Sequence, residues 1–192
     1  YIDETGDDEF LLEERPYFAD HLPWRGERRH EEISEHQFTG TVLEHLLIQL
    51  TTAFYDVGKH GHMRLRGADW NDGLDMAVQY GESVAFTAAY AYGFDLLARM
   101  TEQLSKKSGS TFSISGALEK LLNSNAAIWG NPEAMREKLF AYCAEAERVN
   151  TRVTINAEKL TCLLCDMAHW LRSHIAAEEW VGDGVDLHWY NS

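Results

Sequence analysis

The sequence predicts an all-α protein of antiparallel helices, and three observations carry that reading. Phe38, Val42, Leu46, Leu50, Phe54 and Val57 recur at steps of three and four residues, joined by Leu43 and Leu47. That is one wide apolar stripe of an amphipathic helix. From Glu82 to about Leu104 the chain is apolar nearly all round (Val84, Ala85, Phe86, Ala88, Ala89, Tyr92, Phe94, Leu96, Leu97, Met100), as in a helix enclosed by other helices. Only 3 prolines interrupt 192 residues, so nearly every backbone N–H that a helix needs is present.

The elements follow in order. Tyr1 to Asp7 reads as the tail of a helix running into a turn. Glu13-Glu14-Arg15-Pro16 interrupts any helix, and Trp24 to Glu32 reads as an exposed, solvated loop. The first apolar stripe gives a helix over about 37–57, with Gly58 placed where a helix C-terminus wants a left-handed residue. Residues 59–80 form a loop. The second helix ends at Ser105 to Ser110, and a shorter one covers 115–123. Asn131-Pro132-Glu133 supplies a cap, a first-turn proline and an acid for a helix running to about Arg148. The last helix starts near Asn156 and continues through Leu160, Leu163, Leu164, Met167, Leu171 and Ile175. Only Leu187–Tyr190 reads as extended. One domain is the expectation at this length. Because both ends fall in mid-element, the chain reads as an internal piece of something larger.

Composition narrows function. Hydrophobic residues make up 45% and aromatics 11%, which is globular. The net charge of −14, from 31 acidic against 17 basic residues, argues against nucleic acid and anionic membrane as partners. It suits a neutral ligand such as a sugar, although an acidic surface also simply favours solubility. Cys143, Cys162 and Cys165 are odd in number and two lie in a helical pattern, which points to reduced thiols and the cytoplasm. No apolar run reaches the roughly 20 residues that cross a bilayer.

The chemistry-bearing string is Gly67-Ala68-Asp69-Trp70-Asn71-Asp72-Gly73. Asp, Asn and Gly together form turns, so an ordinary tight turn with Trp70 anchored in the core is one reading. The other starts from the flat apolar face of Trp70, which matches the axial C–H groups of a sugar ring. A carboxylic acid two residues on could then protonate a glycosidic oxygen. Such an acid needs a raised pKa, from burial or a second carboxylate, for which Asp69 and Asp75 are candidates. Asn71 could hold a carboxyl or a sugar hydroxyl.

Gly67 to Asp75, followed by Gly81-Glu82-Ser83-Val84, resembles the inverting disaccharide phosphorylases of glycoside hydrolase family 94. These include cellobiose and chitobiose phosphorylases and the phosphorylase-like region of cyclic β-1,2-glucan synthases. Tyr1 to Asp7 with Leu12-Glu13-Glu14, Thr41 to Leu47, and His188-Trp189-Tyr190-Asn191 are similar to other runs of that family. The resemblance spans most of the chain. It is weakest over 105–155, which reads as a family-specific insertion.

The resemblance implies that 1–192 is a fragment of one (α/α)6-barrel catalytic domain, a partial helical toroid with functional loops. It assigns the general acid to Asp72 and the sugar platform to Trp70. Asp69, Asn71 and Arg66 join Trp70 as substrate-binding candidates. The implied activity is inverting phosphorolysis of a β-linked disaccharide or oligosaccharide to a sugar 1-phosphate. No metal and no organic cofactor is implied; inorganic phosphate is the co-substrate. The family's phosphate-binding residues would fall beyond Ser192, so the chain alone is expected to be inactive. Expected partners are the carbohydrate, phosphate and the remainder of the catalytic domain, and a homodimer of the intact enzyme is admitted. An inverting hydrolase on the same barrel is the rival. It needs a base carboxylate about 6.5–9.5 Å from the acid, and Asp69 is too close in sequence to suit. A non-catalytic helical carbohydrate-binding fragment is the rival from another class.

Other residues are weighed and set aside. Cys162, Cys165 and His169 have metal-like spacing but fall in an apolar helix, so core packing is expected. His60 and His62 form a loop pair with no evident third ligand. Arg64 and Arg66 fit either a sugar contact or a structural ion pair. Glu82 is expected to cap the helix that follows it.

Overall fold

The computed structural model describes residues 1–17, 19–20, 31–32, 38–66, 77, 80–123, 126–146, 151–182 and 188–190. Helices dominate: α1 (Ile2–Thr5), α2 (Val42–Tyr55), α3 (Val84–Ser108), α4 (Gly116–Leu122), α5 (Pro132–Ala146) and α6 (Ala157–Glu178). Among the described residues the strands form two-stranded antiparallel pairs. Glu14–Pro16 (β1) pairs with Thr39–Thr41 (β4), and Ala19–Asp20 (β2) with Glu31–Glu32 (β3). Met63–Arg64 (β5) pairs with Glu82–Ser83 (β6), and Thr111–Ser115 (β7) with Arg152–Asn156 (β8). Trp180–Gly182 (β9) pairs with His188–Tyr190 (β10). The expectation of extended chain only at Leu187–Tyr190 is therefore too narrow. The other ladders are two to five residues long, too short to give a period-two signal against helical neighbours.

The helix boundaries follow local chemistry. Thr41, Ser83, Ser115 and Asn156 each accept a hydrogen bond from the N–H three residues on, capping α2, α3, α4 and α6. Asn131 accepts from both Glu133 and Ala134 at the start of α5, as expected of an Asn-Pro-Glu start. Gly6 ends α1 at φ 71, as the turn reading of Tyr1 to Asp7 requires. The expected start of α2 near residue 37 is displaced, because Thr39–Thr41 is drawn into the ladder with β1. Phe38, the first residue of the proposed stripe, is exposed.

α3 and α6 pack along much of their length, with α2 beside them and α5 against α2 and α4. Phe54 sits at the centre, meeting the rings of Tyr55, Phe94, Trp129 and Trp170 edge-on at 5.1 to 5.8 Å. The polar ends of Trp129 and Tyr55 are satisfied: Trp129 Nε1 donates to Tyr55 Oη at 3.2 Å, which donates to Leu121 O at 3.3 Å. α3 is less enclosed than its composition suggests. Phe94, Leu97 and Leu104 are buried, whereas Tyr92 is exposed. Alanines on its outer faces are apolar without needing burial, which inflates the apolar pattern.

Candidate functional site

Of the five residues the sequence nominates, Asp69, Trp70, Asn71 and Asp72 lie outside the described residues, and Arg66 lies within them. What the structure describes is the frame from which their loop springs. After Tyr55 the chain reverses tightly: Val57 bridges Met63, and Gly58 N donates to His62 O at 2.9 Å. Gly61 supplies the positive φ, 81°, that the reversal needs. β5 then pairs with β6, Met63 opposite Ser83 and Arg64 opposite Glu82, and Leu65 N donates to Gly81 O at 3.0 Å. The chain enters and leaves the motif loop side by side on this ladder. Buried Thr87 fixes it to α3 by accepting from Met63 N at 3.0 Å.

Arg66 begins the loop in a left-handed conformation, φ 51, which costs a non-glycine residue about 1 kcal/mol. Its guanidinium grips Asp56 in a fork, Nε to Oδ2 and Nη2 to Oδ1, each at 2.5 Å. A structural ion pair, one of the two readings open from sequence, is thus present. Neighbouring Arg64 is held below the ordinary arginine range by burial first, and then by the Arg66 charge.

Glu82 does not cap α3. Ser83 takes that role, its Oγ accepting Phe86 N at 3.1 Å. The Glu82 carboxylate turns back across the reversal. It accepts His60 N at 3.1 Å on each oxygen and His62 N at 2.9 Å on Oε2. This corrects the role of Gly58 as well. The left-handed residue is Gly61, and Gly58 is needed for space: a Cβ there would lie 2.2 Å from Glu82 Cδ.

His62 is 2% exposed, and its Nε2 lies 2.8 Å from Glu179 Oε1, just past the end of α6. An ionised carboxylate only accepts, so Nε2 carries the proton. His174 braces the same turn, its Nε2 2.9 Å from His60 O while its ring stacks on Trp170 at 5.0 Å and 6°. The turn of residues 58–62 is therefore tied to the C-terminal end of α6 through His62 and His174. Sequence reasoning missed Glu179, His174 and Trp170 as their partners. The only available signal was the i, i+4 spacing of Trp170 and His174, which places them on one helical face. β9 follows directly on Glu179 at this end of the bundle, and β10 pairs with it.

The remaining candidates separate cleanly. Cys162 and Cys165 are exposed on α6, which corrects the expectation that they pack in the core; Cys143 is buried. Partial desolvation pushes the Cys165 thiol up, with the Asp95 charge adding to it. No group of three metal-ligating side chains is assembled among the described residues. An apolar groove of about 540 Å³ runs between the N-terminal segment and α2 and α3, lined by Ile2, Phe10, Leu46, Leu50 and Leu97. No helix among the described residues is long and apolar enough to cross a membrane.

The model of the glycosyl hydrolase 94 superfamily catalytic domain matches residues 1–129. The matched span takes in α1 to α4, the motif string and the β5–β6 ladder that flanks it. No curated protein matches the chain.

Proposed function

Because this chain belongs to the glycosyl hydrolase 94 superfamily, within its catalytic domain, we propose that it takes part in inverting phosphorolysis of a β-glycoside. The family makes it a carbohydrate-active enzyme of the glycoside phosphorylase and hydrolase kind, on an all-α fold of the (α/α)6-barrel type. The observation that carries the finer reading is the position of Asp69-Trp70-Asn71-Asp72. The string lies inside the matched span, on a loop whose two ends leave one ladder at the head of α3.

In this reading Asp72 is the general acid and Trp70 the sugar platform. Asp69 and Asn71 support them, and Arg66 stands at the loop's entry. An oxygen of inorganic phosphate attacks the anomeric carbon opposite the leaving group while the glycosidic C–O bond breaks through an oxocarbenium-like state. Asp72 gives its proton to the departing oxygen, and the proton carried in by hydrogen phosphate restores the acid. Phosphate is already an anionic nucleophile, so no second carboxylate base is needed. That separates this chemistry from hydrolysis, where a base must activate water. No metal or organic cofactor enters the scheme. Phosphate and the carbohydrate are its partners, the phosphate site being supplied by other parts of the catalytic domain, and a cytoplasmic setting fits reduced thiols.

The test is Asp72→Asn in the enzyme that carries this chain, assayed with phosphate and an unactivated β-linked disaccharide. Loss of a proton donor predicts a fall in kcat on the order of a thousandfold. Activity retained within a few-fold would remove Asp72 from the role.

A further inference from the structure

We propose that Glu82 is a positioning residue for the proton donor, a role that rests on the reading of Asp72 as the acid. Asp72 stands ten residues after His62 and ten before Glu82 in the chain, so the loop bearing it is flanked by the two partners of one clamp. The Glu82 carboxylate accepts two main-chain N–H groups, from His60 and His62. Charge-assisted bonds to backbone amides are among the stronger that a surface-proximal site can make. They act on backbone, so they fix the path of the chain rather than the rotamer of one side chain.

Three further contacts show that the clamp is built into its surroundings. Ser83, the next residue, is the cap of α3, so Glu82 is held on the end of a 25-residue helix. His62 passes the constraint to a second helix through Nε2 and Glu179 Oε1 at 2.8 Å. Gly58 lies where any side chain would occupy the space of the Glu82 carboxylate. A cap would need none of this, and the carboxylate points away from the N–H groups that a cap would satisfy. General acid catalysis tolerates little misplacement: a shift of about 1 Å in a reacting group can cost on the order of a hundredfold. A clamp at the loop's base is where such a shift would be prevented.

The test uses the whole enzyme with inorganic phosphate and two substrates. One is an unactivated disaccharide, cellobiose or chitobiose, whichever is cleaved. The other is the dinitrophenyl β-glycoside of the same sugar, whose leaving group departs without a proton. Glu82→Ala removes both acceptors, and Glu82→Gln keeps one oxygen. Gly58→Ala leaves Glu82 intact but displaces its carboxylate, and the flexible end of that side chain can move aside without unfolding the turn. For Glu82→Ala and Gly58→Ala, kcat on the disaccharide is expected to fall on the order of tenfold to a hundredfold. Activity on the dinitrophenyl glycoside should stay within about threefold and KM should change little. Glu82→Gln should lie between these variants and wild type.

Equal loss on both substrates would make Glu82 merely structural and overturn the proposal, as would no loss on either. Asp72→Asn run alongside separates the two claims. If it shows the leaving-group-selective loss and the clamp variants do not, the clamp alone falls. If it loses both substrates equally, the acid assignment falls and takes the clamp's role with it.

Discussion

At one end of the bundle β7 and β8 pair over five residues, from Thr111 opposite Asn156 to Ser115 opposite Arg152, with Phe112, Ile114 and Ile155 turned into the core. At the other end the β5–β6 ladder is two residues long, and side chains do the rest: Glu82 on backbone amides, Asp56 on Arg66, Glu179 on His62. The first end is closed by main-chain pairing over a buried charge. Glu44, fully buried, accepts Ser115 N at 3.0 Å on Oε1 and holds Arg152 Nη1 at 2.6 Å from Oε2. Among the described residues, the second end is pinned at the base of its loop. A ladder closes a chain end and leaves no length for chemistry, whereas a clamp fixes both ends of a loop and leaves its middle to carry functional groups. The same helices thus present one end organised for stability and one organised for the candidate site.

Removing the Glu44 carboxylate should break this contrast most. Glu44→Ala strands a half-buried main-chain N–H and the inner face of a guanidinium, which costs about 3 kcal/mol where a buried pair is broken. Arg152 keeps a partial route to solvent, which holds the cost at the low end. Urea unfolding should show the midpoint falling accordingly. Activity per folded molecule should be unchanged, the reverse of the outcome expected for Gly58→Ala.

A smaller effect appears in alkali. Tyr17 and Tyr142 both lie near Glu44, and both phenols are pushed above the usual tyrosine range, chiefly by burial and then by neighbouring negative charge. A phenol whose pKa is raised on folding contributes stability that is complete below about pH 10 and is lost as pH rises further. Each adds a slope of at most about 1.4 kcal/mol per pH unit. Tyr142→Phe should therefore flatten the alkaline loss measured by thermal unfolding between pH 9 and 11. An unchanged slope would place the titrating groups elsewhere.

What was legible in the sequence is what local chemistry decides. Asn131 and Asn156 announce their helices because a cap acts within three residues, and the Phe38 to Val57 stripe marks α2 because its period is helical. What was not legible depends on partners far away in sequence. The Thr111–Ser115 stretch alternates, but it is only five residues long and its partner lies some forty residues on. Glu82 reads as a cap from its neighbours and becomes a clamp only when the chain of 58–62 folds back on it. His62 meets Glu179 across 117 positions, which no window along the sequence spans. For the candidate site, composition around Asp72 allowed a plain turn as readily as a sugar site. The resemblance favours the latter through the whole string and its spacing to Gly81-Glu82-Ser83, and the family match spans that stretch.

The most direct measurement follows the first product formed from a β-linked disaccharide by NMR, with and without inorganic phosphate. Inverting phosphorolysis predicts an α-configured sugar 1-phosphate that appears only when phosphate is present. Free reducing sugar released at the same rate without phosphate, or a β-configured phosphate product, would contradict it.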